Sequence, residues 1–249
     1  KNLLDDKVDG YNVRNFIASD PISIPHRFTK HQDIEITAFW TSILAWGQRV
    51  TIINKATELF QLMDNAPYDF VLNHTELDRA RFANFKHRTF NYIDTSYFLR
   101  ILQHHYRNHN SLEDAFLHDG QFASIDQSLT SFREYFFHLD GSPHRTTKHI
   151  ASPARKSTCK RLNMFLRWMV RRDNRNVDFG LWDRIPMSEL KIPFDVHVER
   201  VARYLGLLER KQRDWQTVLE LTENLKLYNP EDPISYDFAL FGMGVEGEI

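Results

Sequence analysis

Apolar side chains recur at helical spacing along most of the chain, and this periodicity constrains the fold more than any other feature of the sequence. Ile36, Phe39, Trp40, Ile43 and Leu44 fall on one face of a helix that Asp33 would cap and Gly47 would stop. Val50, Ile53, Ala56, Leu59, Phe60 and Met63 share a face of the next, which runs towards Pro67. Further helical patterns cover 96–107, 111–117 and 125–139, all rich in Phe and Tyr that read as core. Past a Ser-, Pro- and Thr-rich stretch at 141–153, Ser157 or Thr158 would cap a helix through Leu162, Phe165, Leu166 and Met169. Asp195 stands where it would cap a helix carrying Val198, Val201, Ala202 and Leu205, with Gly206 as its stop, and two more patterns cover 214–225 and 233–242. With only nine Gly and nine Pro, and few alternating β-branched runs, the chain reads as all-α. The expected organisation is two helical lobes around a cleft: an N-terminal arm at 1–32, a first lobe at 33–140 and a second at 141–249.

Composition narrows the classes of function. No apolar run reaches the roughly 18 residues a membrane span needs, and the first ten residues carry Asp5, Asp6, Lys7 and Asp9 rather than a secretory core. The single cysteine, Cys159, cannot form an internal disulfide or supply a four-cysteine iron-sulfur or zinc site, so a reducing, cytoplasmic setting without a cofactor is expected. Net charge is −1, yet 141–175 holds ten Lys or Arg (Arg145, Lys148, Arg155, Lys156, Lys160, Arg161, Arg167, Arg171, Arg172 and Arg175) against Asp173 alone, an excess of nine positive charges. Such a run, with Thr158, Asn163 and Trp168 interleaved, is what phosphate contact requires; the plain alternative is a solvated helix face. His105 and His109, four apart on a helix, lack an identifiable third partner, and no metal site is expected.

Three stretches carry a resemblance. Ile192-Pro193-Phe194-Asp195-Val196-His197-Val198 and its continuation to Leu207 look like the catalytic-aspartate motif of the helix-hairpin-helix DNA glycosylases. Lys160-Arg161-Leu162-Asn163-Met164-Phe165 resembles the start of the helix after the hairpin, where members with lyase activity carry a lysine. The 35 residues from Lys160 to Asp195 bring the likeness nearest to the archaeal 8-oxoguanine glycosylase branch. In the first lobe, 39–48 and 54–60 look like the paired helices of endonuclease-III-type members, and 236–242 resembles the end of their second lobe. The whole chain is also similar to an uncharacterised bacterial family.

The resemblance implies a DNA glycosylase, with a lyase step, acting on a flipped damaged base such as an oxidised purine in duplex DNA. In that reading Lys160 is the nucleophile and Asp195 activates it. Gln48 fills the gap left by the flipped base, and Arg155, Lys156, Arg161, Arg167 and His197 contact the DNA. Trp46, Phe165 and Trp168 line the base pocket. One departure stands out: 153–159 contains no glycine, whereas the family hairpin uses two to bring its backbone amides to a phosphate. Two other readings stay open, a DNA- or RNA-binding module without chemistry and a helical interaction protein. Read without the resemblance, Asp195 is an N-cap, Lys160 a solvated lysine and Cys159 a small packed side chain.

Overall fold

A computed structural model describes residues 1–249. It is all-helical, with two isolated β-bridges and no strand. The α-helices are α1 (Asn2–Tyr11), α2 (Arg14–Ser19), α3 (His31–Leu44), α4 (Arg49–Gln61), α5 (Pro67–Asn73), α6 (Glu76–Arg79), α7 (Tyr92–Asn108), α8 (Ile125–Phe136), α9 (Lys160–Val170), α10 (Val196–Tyr204), α11 (Trp215–Lys226) and α12 (Tyr236–Glu246). No helix is long and apolar enough to cross a membrane.

The chain divides into two compact units whose boundaries differ from the expected ones. One comprises Ser19–Ala123 with Gln127–Ala151; the other comprises Lys1–Ala18, Ser124–Asp126 and Ser152–Ile249. The expected N-terminal arm is therefore split. Its 3-10 turns at Pro21–Ser23 and Pro25–Arg27 pack on α3 and α4, whereas α1 packs on α12. The basic stretch after residue 141 stays with the first of these units up to Ala151, because Arg145 and Thr146 bond the buried carboxylate of Asp94 on α7.

In the Ser19–Ala123 unit, α3 is buried almost all round, and Phe39 and Trp40 sit among Phe90, Phe98, Phe132 and Phe136. Asp33 caps a different helix from the one expected. α3 begins at His31, and the Asp33 carboxylate accepts the Tyr68 N–H of α5 at 2.8 Å. His105 uses both ring nitrogens internally, on the Tyr135 hydroxyl at 2.8 Å and the Ser111 carbonyl at 2.9 Å.

The other unit is organised on α12, which packs against both α1 and α10 through two glycines. A Cβ on Gly242 would fall 2.4 Å from the Tyr11 ring, and one on Gly244 would fall 2.8 Å from the Cβ of His197 and 3.0 Å from its carbonyl oxygen. The Gly244 carbonyl in turn accepts from His197 Nδ1, at 3.1 Å, and from Arg200. Because the obstacle at Gly244 is backbone, Gly244→Ala must push α10 away. We expect a loss of about 1–3 kcal/mol, measured by urea denaturation.

Candidate active site

α10 begins where its sequence says it should. Asp195 itself is extended, and its carboxylate accepts the N–H of His197 at 2.9 Å and of Val198 at 3.1 Å through Oδ1. Capping uses one oxygen and leaves the other for a partner. That partner is Lys160, the first residue of α9, whose Nζ lies 3.8 Å from Asp195 Oδ2. Their side chains are 27% and 17% exposed, so the pair is sheltered yet reachable.

The segment before α9, a 3-10 turn at Pro153–Arg155 followed by a loop, takes a left-handed turn twice without a glycine. Lys156 has φ +59° and Cys159 φ +51°. The Ser157 hydroxyl accepts the Cys159 N–H at 3.2 Å, which helps hold this shape. A left-handed residue with a side chain costs about 1–2 kcal/mol, more than the additional chain entropy glycine loses on folding. Lys156 is exposed and makes no bond that glycine would lose. Lys156→Gly should therefore raise stability by roughly 0.5–1 kcal/mol in a denaturant titration.

Asn163 joins this loop to the segment leading into Asp195. It is buried, and its amide donates to the Thr158 carbonyl at 3.2 Å and to the Ile192 carbonyl at 3.4 Å. The result is an open pocket of about 410 Å³ lined by Ser157, Thr158, Lys160, Phe194, Asp195, Val196, Glu199 and Arg213. Glu199 follows Asp195 by one helical turn and so shares its face of α10. Beneath the site, Arg167 bonds Asp178 and Asp237, while Arg171 bonds Asp173, Asp178 and Asp232. The Phe238 ring lies against both guanidinium groups. Burial, with the added repulsion of the Asp195 and Asp178 charges, lifts the Asp237 carboxyl to about 6 against the pull of Arg167.

Several expected contacts are corrected by these positions. Arg167 is 4% exposed, held by two carboxylates, and cannot meet a phosphate. Phe165 and Trp168 are fully buried, Phe165 against Trp182, because α9 turns them to the core; they line no pocket. The basic excess at 141–175 is largely consumed internally: Arg145 pairs with Asp94, Arg172 with Asp183 and Arg175 with Asp9, in addition to Arg167 and Arg171. Arg155 and Lys156 remain exposed before α9. Arg161 is half-buried, and desolvation pulls its guanidinium down to about 10. His197 bonds Gly244 and meets the edge of Phe241. In the other unit, Gln48 is exposed in the turn before α4, and Trp46 is half-buried under the Arg88 guanidinium, 4.9 Å from its ring centre. No group of three or more His, Cys, Asp or Glu side chains is arranged to hold a metal.

The sequence does not single out Glu199 or Arg213, and Asn163, expected beside phosphate, is buried and bonded internally. The four-residue step from Asp195 to Glu199 was a usable signal; nothing local marks Arg213.

A family model described as "Protein of unknown function (DUF2400)" matches residues 20–246. The chain belongs to that family. The match takes in Lys160, Asp195 and every residue lining the pocket, whereas α1, docked on α12, precedes it. No curated protein and no solved structure gives a significant match.

Proposed function

We propose that this member of the family is a DNA glycosylase with an associated lyase step, acting in the pocket between α9 and α10. The observation that carries the reading is the approach of Lys160 Nζ to Asp195 Oδ2, at 3.8 Å, across 35 residues of sequence in an open pocket. An amine beside a carboxylate is suited to nucleophilic displacement at an electrophilic carbon. Asp195 takes a proton from the Lys160 ammonium, and the freed electron pair attacks C1′ of a flipped nucleotide. The C1′–N bond breaks with its electrons leaving on the base, which is protonated as it departs. Opening of the sugar gives an imine between Lys160 and C1′, and loss of a C2′ proton expels the 3′ phosphate. The left-handed turns at Lys156 and Cys159 are made without glycine, and the N–H groups of both residues are bonded within the segment, to the Pro153 carbonyl and the Ser157 hydroxyl, so phosphate contact there falls to the Arg155 and Lys156 side chains.

A second reading, a nucleic-acid-binding module without chemistry, is favoured by the burial of Phe165 and Trp168, which removes the two expected base-pocket residues of α9. Incubation with duplexes carrying 8-oxoguanine, uracil, alkylated purines or an abasic site, with and without borohydride, separates the two. Base release with a trapped adduct supports the enzyme. Binding without release on every duplex supports the module, and no binding at low salt overturns both.

A further inference from the structure

Arg213, on the loop between α10 and α11, belongs to neither motif, yet its side chain forms part of the wall of the Lys160–Asp195 pocket. Glu199, 7% exposed, holds it through a bond from Arg213 Nε to Glu199 Oε2. The other oxygen of Glu199 is already taken by Arg203, which donates through Nε at 3.0 Å and Nη2 at 2.9 Å. Arg213 is therefore not needed to neutralise Glu199. The pocket lining balances Asp195 and Glu199 against Lys160 and Arg213, and Arg203, bonded to Glu199 from outside that lining, adds one positive charge to the cluster.

The remaining nitrogens of Arg213, Nη1 and Nη2, bond no group of the chain, and the side chain is 64% exposed. A guanidinium pinned at Nε presents a planar two-donor fork, the shape that matches two oxygens of a phosphate. Pinning also lowers the entropy that a free arginine would lose on binding. Phe194 and Val196 offer apolar wall beside it for a sugar or base.

We propose that Arg213, oriented by Glu199, grips a backbone phosphate next to the nucleotide held at Lys160. The assignment rests on the DNA reading above but not on catalysis. A nucleotide that places its C1′ at Lys160 carries a phosphate on each side, so the spare cation meets an anion that the strand always supplies.

The test is binding of a short duplex carrying a tetrahydrofuran abasic analogue, followed by anisotropy across a salt series, with no base release required. Arg213→Gln should weaken binding about tenfold near 0.1 M salt and reduce the slope of log K against log salt by about 0.9, the loss of one phosphate contact. A neutral methylphosphonate, placed in turn at each phosphate flanking the analogue, should cost the wild type the same at one position and cost Arg213→Gln nothing further there. Arg213→Lys keeps the charge without the fork; it should keep the slope and lose about threefold in affinity, and if Arg213→Gln fails to fold, the methylphosphonate loss of Arg213→Lys should be about threefold smaller than the wild type's at that one position and equal to it elsewhere. An unchanged slope in Arg213→Gln, or additive losses at every position, overturns the proposal. So does inorganic phosphate that competes at concentrations comparable to the duplex phosphates, which would assign the site to a free phosphate. Wild-type binding here, with no base released from the base-bearing duplexes of the previous panel, removes the enzyme reading and leaves this one standing; base release from that panel with an unchanged slope in Arg213→Gln does the reverse.

Discussion

Lys160→Gln is expected to abolish every borohydride-trapped adduct and to lower base release by at least about 10³-fold, while duplex affinity changes by less than about threefold. Under the glycosylase reading proposed above, Gln keeps the polarity of the side chain but has no amine to attack C1′, so the covalent step would be lost outright. Binding survives because exposed Arg155 and Lys156 stay in place, and because Asp195 still caps α10 through Oδ1 whether or not Lys160 is beside Oδ2. Asp195→Asn provides the control: an amide can still accept the His197 and Val198 N–H groups, so helix and fold persist while the proton acceptor is gone. Its base release should fall by two to four orders of magnitude, within the range for loss of a general base. Adducts that persist in Lys160→Gln would show that another amine is the nucleophile.

Arg167→Met is expected to cost about 3–5 kcal/mol, the largest stability loss of any substitution considered, because it strips the counter-charge from buried Asp178 and Asp237. At two to four degrees per kcal/mol for a chain of this size, the melting temperature should fall by on the order of 10 °C. The loss should also depend on pH. Asp237 rises from 3.8 in the unfolded chain to about 6 in the folded one, so the folded state binds more protons between those values. Stability from this group is complete below the unfolded value and is lost as pH rises through the folded one. Removing Arg167 raises the folded value further and extends the loss upward. The difference between wild type and Arg167→Met should therefore be greater at pH 8 than at pH 5, measured by thermal melts in matched buffers. A difference that does not change with pH would mean that Asp237 does not sense Arg167.

Lys160 and Arg167 belong to one basic stretch yet meet opposite fates in the structure. On α9, Lys160 opens into the pocket, whereas Arg167, about two turns on, faces carboxylates brought from Asp178 and Asp237. Helical spacing could identify the buried stripe of Leu162, Phe165, Leu166 and Met169. It could not show that Arg167 and Trp168 join that stripe, because the burial of an arginine depends on an acid arriving from elsewhere in the chain. Asp237 lies 70 residues from Arg167 and Asp232 lies 61 from Arg171.

What the sequence determined by itself was local: helices from the period of their apolar residues, the start of α10 from Pro193 and the Asp195 cap, and the candidate pair Lys160 and Asp195 from flanking residues that resemble a known family. The helices and the cap depend on interactions within a few positions of the chain, and the pair was named from its flanking residues, not from the approach that brings it to 3.8 Å across 35 residues. Only the tertiary structure decided which charges face water, that a glycine-free loop turns left-handed at Lys156 and Cys159, and that Glu199 and Arg213 complete the pocket. Those outcomes depend on the partners that packing brings together, and a count of charges along the chain contains no record of them.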